Sequence, residues 1–246
     1  MRVAVVGATG TAGAPIAAAL EDTGHEVRRL SRRSETHPVD LRTGAGLDAA
    51  LAGCEAVIDA SNAAERTKEA RALLVEGNRR LLAAEGRAGV SHHVCLSIVG
   101  IERVPIGYYR VKLEQERVVR EAGIPWSIVR STQFHQLLDW AFGALARVGV
   151  LPAAQAPLQP VDPVEVAAAV AAVASGEPLN GTTTVAGPRP EQIAELARTW
   201  KVARGRPAVL LPVPLLGKVG SGLRAGALTA PTPDHRGTRT FADWLR

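Results

Sequence analysis

Residues 5–13 read VVGATGTAG, and this stretch decides the fold. The apolar run of residues 1–6 before it is typical of a buried strand, and residues 14–25 after it have helical composition. Gly7, Gly10 and Gly13 therefore join a strand to a helix, which is the context of a dinucleotide fingerprint. Gly7 permits a tight turn, Gly10 lets a phosphate approach the backbone, and Gly13 lets the helix pack closely. The alternative is a purely structural glycine turn.

Strand and helix patterns alternate through the next hundred residues. Strands are predicted at 26–30, 37–41, 55–61, 91–100 and 125–131, and helices at 46–54, 64–88 and 109–123. Such alternation requires crossover connections and a parallel sheet covered on both faces. The predicted fold class is α/β, a doubly wound parallel sheet of the Rossmann type with a small C-terminal substrate lobe.

The alternation breaks after Thr132. Helices are predicted at 134–149, at 162–176 with Asp162 as N-cap, and at 190–200, with a strand at 182–187 and an irregular segment at 206–226. We expect residues 1–133, joined by 161–186, to form the nucleotide-binding core. Residues 134–160 and 187–246 are expected to form a substrate-binding lobe that is not an independent domain.

Composition excludes several classes of partner. The net charge of +5 comes from 25 Arg and 4 Lys against 24 acidic residues, and these arginines are scattered rather than clustered on a nucleic-acid face. Neither a membrane span nor a signal peptide is apparent, which predicts a cytoplasmic protein. Cys54 and Cys95 show no metal-ligand spacing, so we expect free thiols and no metal. The expected partner is a small-molecule substrate, with a homodimer left open.

The end of the second strand bears on cofactor choice. An NAD site carries an acidic residue about 20 positions after the glycines, to hold the ribose 2′-hydroxyl. This window contains Arg32 and Arg33, with no carboxylate before Glu35. A guanidinium pair suits a 2′-phosphate, so NADP(H) is predicted in preference to NAD(H). The alternative is that both arginines are solvated surface charges.

Tyr108 and Lys112 are candidate catalytic residues. Their spacing of four places them on one face of a helix, where an ammonium lowers the pKa of a nearby phenol and can also bind the nicotinamide ribose. Ser97 ends the fifth strand, where its hydroxyl would bind a substrate oxygen. Tyr109 is a rival for the role of acid, and a surface Tyr–Lys pair is the alternative to both. His135, directly after Phe134, stays open as a pocket residue.

The chain resembles the atypical short-chain dehydrogenase/reductases, in the NmrA-like or NAD(P)H-binding group. VVGATGTAG, GHEVRRLSRR and CEAVIDASNA carry the resemblance, together with the segment from YYRVKLEQE to STQFHQLL. The loop has two residues between its first glycines where the dehydrogenase fingerprint has one. This spacing is typical of the extended and atypical branches.

The resemblance implies a set of cofactor contacts. The residues around the phosphates would be Gly7, Thr9, Gly10, Thr11, Ala12 and Gly13. Arg32 and Arg33 would bind the 2′-phosphate, and Asp40 and Leu41 would flank the adenine. Ala60, Ser61 and Asn62 would approach the nicotinamide ribose, with Gln133 and Phe134 at the nicotinamide end.

Two functions are compatible with these residues. The first is an NADPH-dependent oxidoreductase that reduces a small carbonyl, enone or quinone, with Ser97, Tyr108 and Lys112 as its catalytic residues. The second is a non-catalytic NADP(H) sensor, as in members of the group that have lost the Tyr. A sugar-nucleotide epimerase is a distant third, because the appended lobe is short.

Overall fold

A computed structural model of the chain describes residues 1–63 and 67–246. The strands are β1 Arg2–Val6, β2 Glu26–Leu30, β3 Ala56–Asp59, β4 His92–Ile98, β5 Trp126–Ser131, β6 Val150–Ala153, β7 Pro157–Leu158, β8 Gly181–Ala186, β9 Glu191–Gln192, β10 Val209–Pro212 and β11 His235–Arg236.

The helices alternate with these strands through the first half of the chain. They are α1 Gly13–Asp22, α2 Leu47–Leu51, α3 Thr67–Arg71, α4 Asn78–Ala88, α5 Gly107–Arg120, α6 His135–Ala146, α7 Pro163–Ser175, α8 Ile193–Arg204, α9 Gly217–Arg224 and α10 Phe241–Trp244. A π-helical stretch, Ala72–Gly77, joins α3 to α4, and Ile101–Arg103 form a short 3-10 helix. The predicted helix over 64–88 is therefore present, although residues 64–66 lie outside the described residues.

The central sheet has seven strands in the order β11-β8-β5-β4-β3-β1-β2. Its interior is a parallel array in which Val3 of β1 pairs with Val27 of β2 on one side and with Ala56 of β3 on the other. All four residues of β3 are buried, which is typical of a parallel strand covered by helices on both faces. The predicted doubly wound α/β fold is confirmed.

Two local predictions are wrong. Residues 37–41 form no strand of the sheet; only isolated bridges join Ser31 to Pro38 and Asp40 to Ala45. Pro38 has no N–H to donate to a ladder, and the chain turns immediately afterwards through Gly44, whose φ is +84°. The segment around 37–41 is therefore a connection that packs Val39 and Leu41 into the core.

The stretch 206–226, predicted to be irregular, contains β10 and α9. β10 is a strand because it pairs in parallel with β6, about 60 residues earlier in the chain, which local sequence cannot indicate. α9 is rich in glycine because its backbone passes close to other segments. A Cβ on Gly220 would lie 2.2 Å from the Leu215 carbonyl carbon, and one on Gly222 would lie 2.9 Å from the Arg103 oxygen.

The chain divides into two compact units by its internal contacts. The first comprises Met1–Ser97, Gly107–Arg130 and Val166–Thr183, and the second comprises Ile98–Ile106, Ser131–Glu165 and Thr184–Arg246. The first unit has two apolar clusters, and the second has a cluster built around Phe142, Trp200 and Phe241. The division into a core of 1–133 with 161–186 and a dependent lobe stays a prediction. Within the described residues, no helix is both long and apolar enough to cross a bilayer.

Candidate cofactor site

The glycine loop occupies the connection between β1 and α1. Gly7 has a φ of +75°, which is favourable only for glycine. The N–H groups of Gly7 and Ala8 donate to the carbonyl oxygen of Leu30 at 3.1 and 3.3 Å, and Gly10 N–H donates to Gly7 oxygen at 2.9 Å. These bonds hold the loop against the end of β2.

Close backbone contacts explain why glycine occupies the first and third positions. A Cβ on Gly13 would lie 2.1 Å from the Gly7 oxygen, which no real side chain tolerates. A Cβ on Gly7 would lie 2.9 Å from the oxygen of Ala60. At Gly10 the nearest atom is 3.2 Å away, so the middle position is less crowded. The loop is thus packed on its inner side against its own backbone and the segment after β3.

The outer side of the loop presents unused hydrogen-bond donors. Within the described part of the chain, the N–H groups of Thr9, Thr11, Ala12 and Gly13 have no acceptor. No side chain caps α1, and no acidic residue lies in its first turn. Unsatisfied amides at the positive end of a helix form an anion site, so these residues fit the diphosphate of a dinucleotide.

Two pairs of arginines near the end of β2 are used differently. Arg28 donates to the carbonyl oxygen of Ala50 at 2.8 Å, and Arg29 forms an ion pair with Glu21 at 2.7 Å. Arg32 and Arg33 follow the strand and are exposed, and neither guanidinium has an acceptor among the residues that the structure describes. The second pair is therefore available to an anionic ligand.

Asp40 and Leu41 have structural roles in the protein. Leu41 is buried in an apolar cluster, and its Cβ would lie only 3.0 Å from a Cβ on Gly77. The Oδ1 atom of Asp40 accepts from the N–H of Arg42 at 2.9 Å and so stabilises a turn. Their contact with an adenine stays a prediction.

The segment of residues 60–62 lies beside the glycine loop. Ala60 N–H donates to the oxygen of Val6, and the N–H of Ser61 donates to Oδ1 of Asp59 at 2.9 Å. The Oδ1 atom of Asn62 accepts a hydrogen bond of 2.7 Å from the hydroxyl of Tyr108. The structure thus brings together three features that the sequence predicts separately: the glycine loop, residues 60–62 and the start of α5.

Lys112 is a buried cation on α5, with 4% of its surface exposed. Its Nζ donates to the carbonyl oxygen of Leu96 at 2.7 Å and to Oε1 of Gln115 at 2.6 Å. An ammonium has three N–H groups, and no described residue accepts from the third. Lys112 therefore retains one donor for a ligand.

The phenol of Tyr108 differs from the sequence expectation. Burial, with a smaller contribution from Tyr109, raises the pKa of Tyr108 to about 12, where a lowered pKa was expected. The ammonium of Lys112, which was expected to lower this pKa, is hydrogen-bonded to Leu96 and Gln115. Burial also raises the pKa of Tyr109. A phenol with this pKa is protonated at neutral pH, so in this state it is a candidate proton donor rather than a base.

Ser97 belongs to a separate buried cluster. Its hydroxyl donates to Oε1 of Glu116 at 2.7 Å, and Glu116 also accepts from Arg130 at 2.7 and 2.9 Å and from Arg120 at 2.8 Å. Burial raises the pKa of Glu116, but the hydrogen bonds from Arg130 and Ser97 outweigh it and lower the pKa. The Ser97 proton is therefore already bound, and its contact with a substrate oxygen stays a prediction.

Gln133 and Phe134 lie in the second unit. The amide of Gln133 donates to Leu228 oxygen at 2.9 Å and accepts from Gln159 N–H at 3.1 Å, so it braces the backbone there. Phe134 precedes α6 and is half-buried. His135 is fully buried against Phe241 and Trp244, with ring centroids 5.7 Å from each, and burial lowers its pKa. His135 is thus a core residue of this unit.

Three buried polar residues that connect to Lys112 by hydrogen bonds were not predicted from the sequence. Asp59, Asn78 and Gln115 are each at most 1% exposed, and both amides donate to the same oxygen of Asp59. The spacing of Lys112 and Gln115 places them on one helix face, which was a usable signal. Nothing local indicates that Asp59, 56 positions earlier than Gln115, is the partner.

The fold and the glycine loop define a dinucleotide-binding protein of the Rossmann class. The chain belongs to the NAD(P)H-binding family, whose sequence model it matches over residues 7–174. The family expected from the glycine pattern and the Tyr–Lys segment is thereby confirmed.

Known relatives agree with this placement. A (4-alkanoyl-5-oxo-2,5-dihydrofuran-3-yl)methyl phosphate reductase of Streptomyces griseus is 35% identical over 164 residues, which is 61% of this chain. The match spans about half of that relative's length, 54%.

Solved structures show the same fold. The NADPH-dependent quinone oxidoreductase of Escherichia coli is similar over 99% of this chain and 98% of its own, with a TM-score of 0.79 and 19% identity. A nucleoside-diphosphate-sugar epimerase from Staphylococcus aureus is similar over 100% of this chain and 99% of its own, with a TM-score of 0.81 and 16% identity. The triphenylmethane reductase of Citrobacter sp., complexed with NADP(H), is similar over 99% of this chain and 98% of its own, with a TM-score of 0.79 and 18% identity.

Proposed function

We propose that the protein is an NADPH-dependent reductase of a small carbonyl, enone or quinone. The observation that supports this most directly is the row of unused donors in the first unit. It comprises the loop amides and the third N–H of Lys112, which have no acceptor among the residues that the structure describes. The names of the Streptomyces, Escherichia and Citrobacter relatives, all reductases or quinone oxidoreductases, point to the same reaction class.

NADP(H) is the proposed cofactor because Arg32 and Arg33 are exposed and lack acceptors among the described residues. Replacing both by Ala should weaken NADP⁺ binding roughly tenfold or more, since charge-assisted bonds to a phosphate would be lost. NAD⁺ binding should change little. Arg28→Ala is the matched control, because Arg28 donates to the Ala50 oxygen. Calorimetry with both dinucleotides measures the ratio, and equal weakening of the two would contradict the proposed selectivity.

The residues of α5 would act on the bound substrate. Bound NADPH supplies the hydride. Tyr108, protonated at neutral pH, would donate its phenolic proton to the substrate oxygen. The hydrogen bond that its hydroxyl now donates to Asn62 would be broken in that step. Lys112 would hold a ribose hydroxyl with its third N–H. Ser97 is left out of this proposed set because its hydroxyl proton is bound by Glu116.

A second candidate function is a redox sensor that binds NADP(H) without turnover. The observation in its favour is that both predicted hydroxyl donors are already engaged, Tyr108 with Asn62 and Ser97 with Glu116. The glycine loop would serve this function equally well, so cofactor binding alone does not separate the two.

The test is NADPH consumption over a panel of quinones, aldehydes and butenolides, the latter with and without a phosphate ester. Tyr108→Phe should lower kcat about a hundredfold, the usual contribution of a general acid, while NADPH binding survives. Tyr109→Phe is the matched control and should retain turnover. Tight NADPH binding with no turnover on any substrate would favour the sensor, and an unaffected Tyr108→Phe variant would refute the assignment of the acid.

A further inference from the structure

Lys112 is connected to a buried carboxylate through one amide side chain. Gln115 accepts from Nζ of Lys112 through Oε1 at 2.6 Å, and its Nε2 donates to Oδ2 of Asp59 at 2.8 Å. Gln115 is fully buried and Asp59 is 1% exposed. Water does not compete for these bonds, so each is stronger than its counterpart at the surface.

The two ends of this chain of bonds leave the Gln115 amide one orientation. Its oxygen faces a cation and its N–H faces an anion, and the reversed amide would oppose two donors at one end and two acceptors at the other. The Nδ2 of Asn78 also donates to the same oxygen of Asp59, at 2.8 Å. The carboxylate is therefore fixed from two sides, and it fixes Gln115 in turn.

Asp59 acts on a second element of the candidate site as well. Its other oxygen accepts from the N–H of Ser61 at 2.9 Å, at the start of the segment beside the glycine loop. One buried carboxylate thus holds both the 60–62 segment and, through Gln115, the ammonium of Lys112. Gln115 thus links Asp59 to Lys112 through hydrogen bonds, and the ammonium, with bonds to Leu96 and Gln115, keeps one N–H without an acceptor among the described residues.

We propose that Asp59 and Gln115 are positioning residues, which aim the free N–H of Lys112 at the ribose of the nicotinamide cofactor. This inference rests on the reductase function proposed above. It adds two residues to that function, neither of which touches substrate or cofactor in the proposal.

Turnover is the first measurement. Gln115→Met removes both bonds at similar volume and should lower kcat about ten- to hundredfold, because a small displacement of a positioning group is costly. The KM of the substrate should change less than about threefold, since its binding groups remain. Glu114→Gln is the matched control: Glu114 is adjacent on α5 and pairs with Arg71, so kcat should be unchanged.

The second measurement needs no cofactor. Acetylation of the four lysines of the apoprotein, followed by mass spectrometry, reports how firmly each amine is held. Lys112 should label at least about fivefold faster in Gln115→Met and in Asp59→Asn than in the wild type, because only a free amine reacts and the wild-type bonds hold Lys112 as a buried ammonium. Lys68, Lys201 and Lys218 should label as in the wild type and serve as internal references.

Gln115→Glu provides a pH-dependent rescue and also serves if the Met variant does not fold. A neutral glutamic acid presents a carbonyl oxygen to Lys112 and an O–H to Asp59, which is the pattern of the amide. The charged groups in contact with Gln115 are Lys112 of α5 and Asp59 of β3, and Asp59 interacts in turn with Glu85 of α4, whose pKa burial raises and which pairs with His93 of β4. We expect near wild-type kcat at acidic pH, and a fall at higher pH that the wild type does not share.

The outcomes are distinct. Lower kcat together with faster labelling of Lys112 supports the inference, as does the new pH limb in Gln115→Glu. Wild-type kcat in Gln115→Met overturns it, and so does a loss of kcat with unchanged labelling, because the lysine has then not moved. If the wild type turns over no substrate, the proposed function fails. The labelling experiment still tests the positioning role of Asp59 and Gln115 in that case. If Lys112 labels at the wild-type rate in both variants, the inference is refuted as well.

Discussion

The polar groups around the glycine loop and those around Glu116 lie in the same unit of the chain, yet their hydrogen-bonding capacity is used differently. Thr9, Thr11, Ala12 and Gly13 keep amides without acceptors in the described structure, and Lys112 keeps one N–H. In contrast, the Glu116 carboxylate is bound by Ser97, Arg120 and Arg130.

The difference separates sites for ligands from sites for stability. Removing one partner from a buried set of charges is costly, because it leaves a charge uncompensated in the interior. Unsatisfied N–H groups at a helix N-terminus contribute no hydrogen-bond energy to the fold, but they are available to bind an anion. We call the glycine loop and Lys112, which keep donors without described acceptors, the open group, and Glu116 with Ser97, Arg120 and Arg130 the closed group. Gln115 and Glu116 are neighbours in sequence, but Gln115 binds a member of the open group and Glu116 belongs to the closed group.

The largest effect is expected from a substitution in the glycine loop, measured as NADPH affinity. Gly13→Ala places a Cβ 2.1 Å from the Gly7 oxygen and must displace the loop. We expect NADPH affinity to fall at least about a thousandfold, which is ~4 kcal/mol. Gly86→Ala is the control, because nothing lies within 4 Å of that Cβ in α4. Calorimetry compares the two variants, and wild-type affinity in Gly13→Ala would mean that the loop does not bind the diphosphate.

The next effect breaks the closed group. Glu116→Ala removes the buried carboxylate that binds Ser97, Arg120 and Arg130, so the free energy of unfolding should fall by about 3 kcal/mol. Glu114→Ala removes an exposed ion pair with Arg71 and should cost less than about 1 kcal/mol. Urea unfolding measures both. Equal losses in the two variants would show that the Glu116 cluster has no special role in stability.

A pH-dependent effect, smaller within any one pH unit, concerns His93 and Glu85, which are both fully buried and 2.9 Å apart. Burial by itself lowers the pKa of His93, but the Glu85 carboxylate raises it to about 10. Because this value exceeds the ordinary value of about 6.5, the stabilisation is complete below about pH 6.5 and is lost as the pH rises through about 10.

Unfolding experiments across this window test the His93 assignment. The free energy of unfolding should fall with rising pH by at most on the order of 1 kcal/mol per pH unit. Glu85→Gln removes the carboxylate and should flatten this slope relative to the wild type. Parallel slopes in the two proteins would show that the pair does not hold the proton.

The smallest effect sharpens the comparison at Ser97. Because its hydroxyl serves Glu116, Ser97→Ala should lower stability by about 1 kcal/mol and leave kcat within about twofold. Ser131→Ala, at the end of the adjacent strand β5, is the matched control for the loss of a buried hydroxyl. A hundredfold loss of kcat at unchanged stability would return Ser97 to the catalytic residues.

Local patterns were sufficient for most of the fold. The buried run of β1, the N-cap at Asp162, which accepts from Val164 N–H, and the alternation up to β5 follow from residue types and spacing. They failed at β10, which is a strand because it pairs with the distant β6. They also failed at residues 37–41, which have strand-like composition but form only isolated bridges. The same limit applied to Tyr108, whose environment depends on where the ammonium of Lys112 points.

The sequence alone determined the order of strands and helices, the glycine loop and the family, because periodicity and backbone freedom are properties of neighbouring residues. Only the tertiary structure decided which polar groups keep a free donor. Ser97 meets a carboxylate 19 residues away, and Gln115 meets one 56 residues away. A hydrogen bond is used or left open according to partners that the folded chain brings together, and no local pattern encodes them.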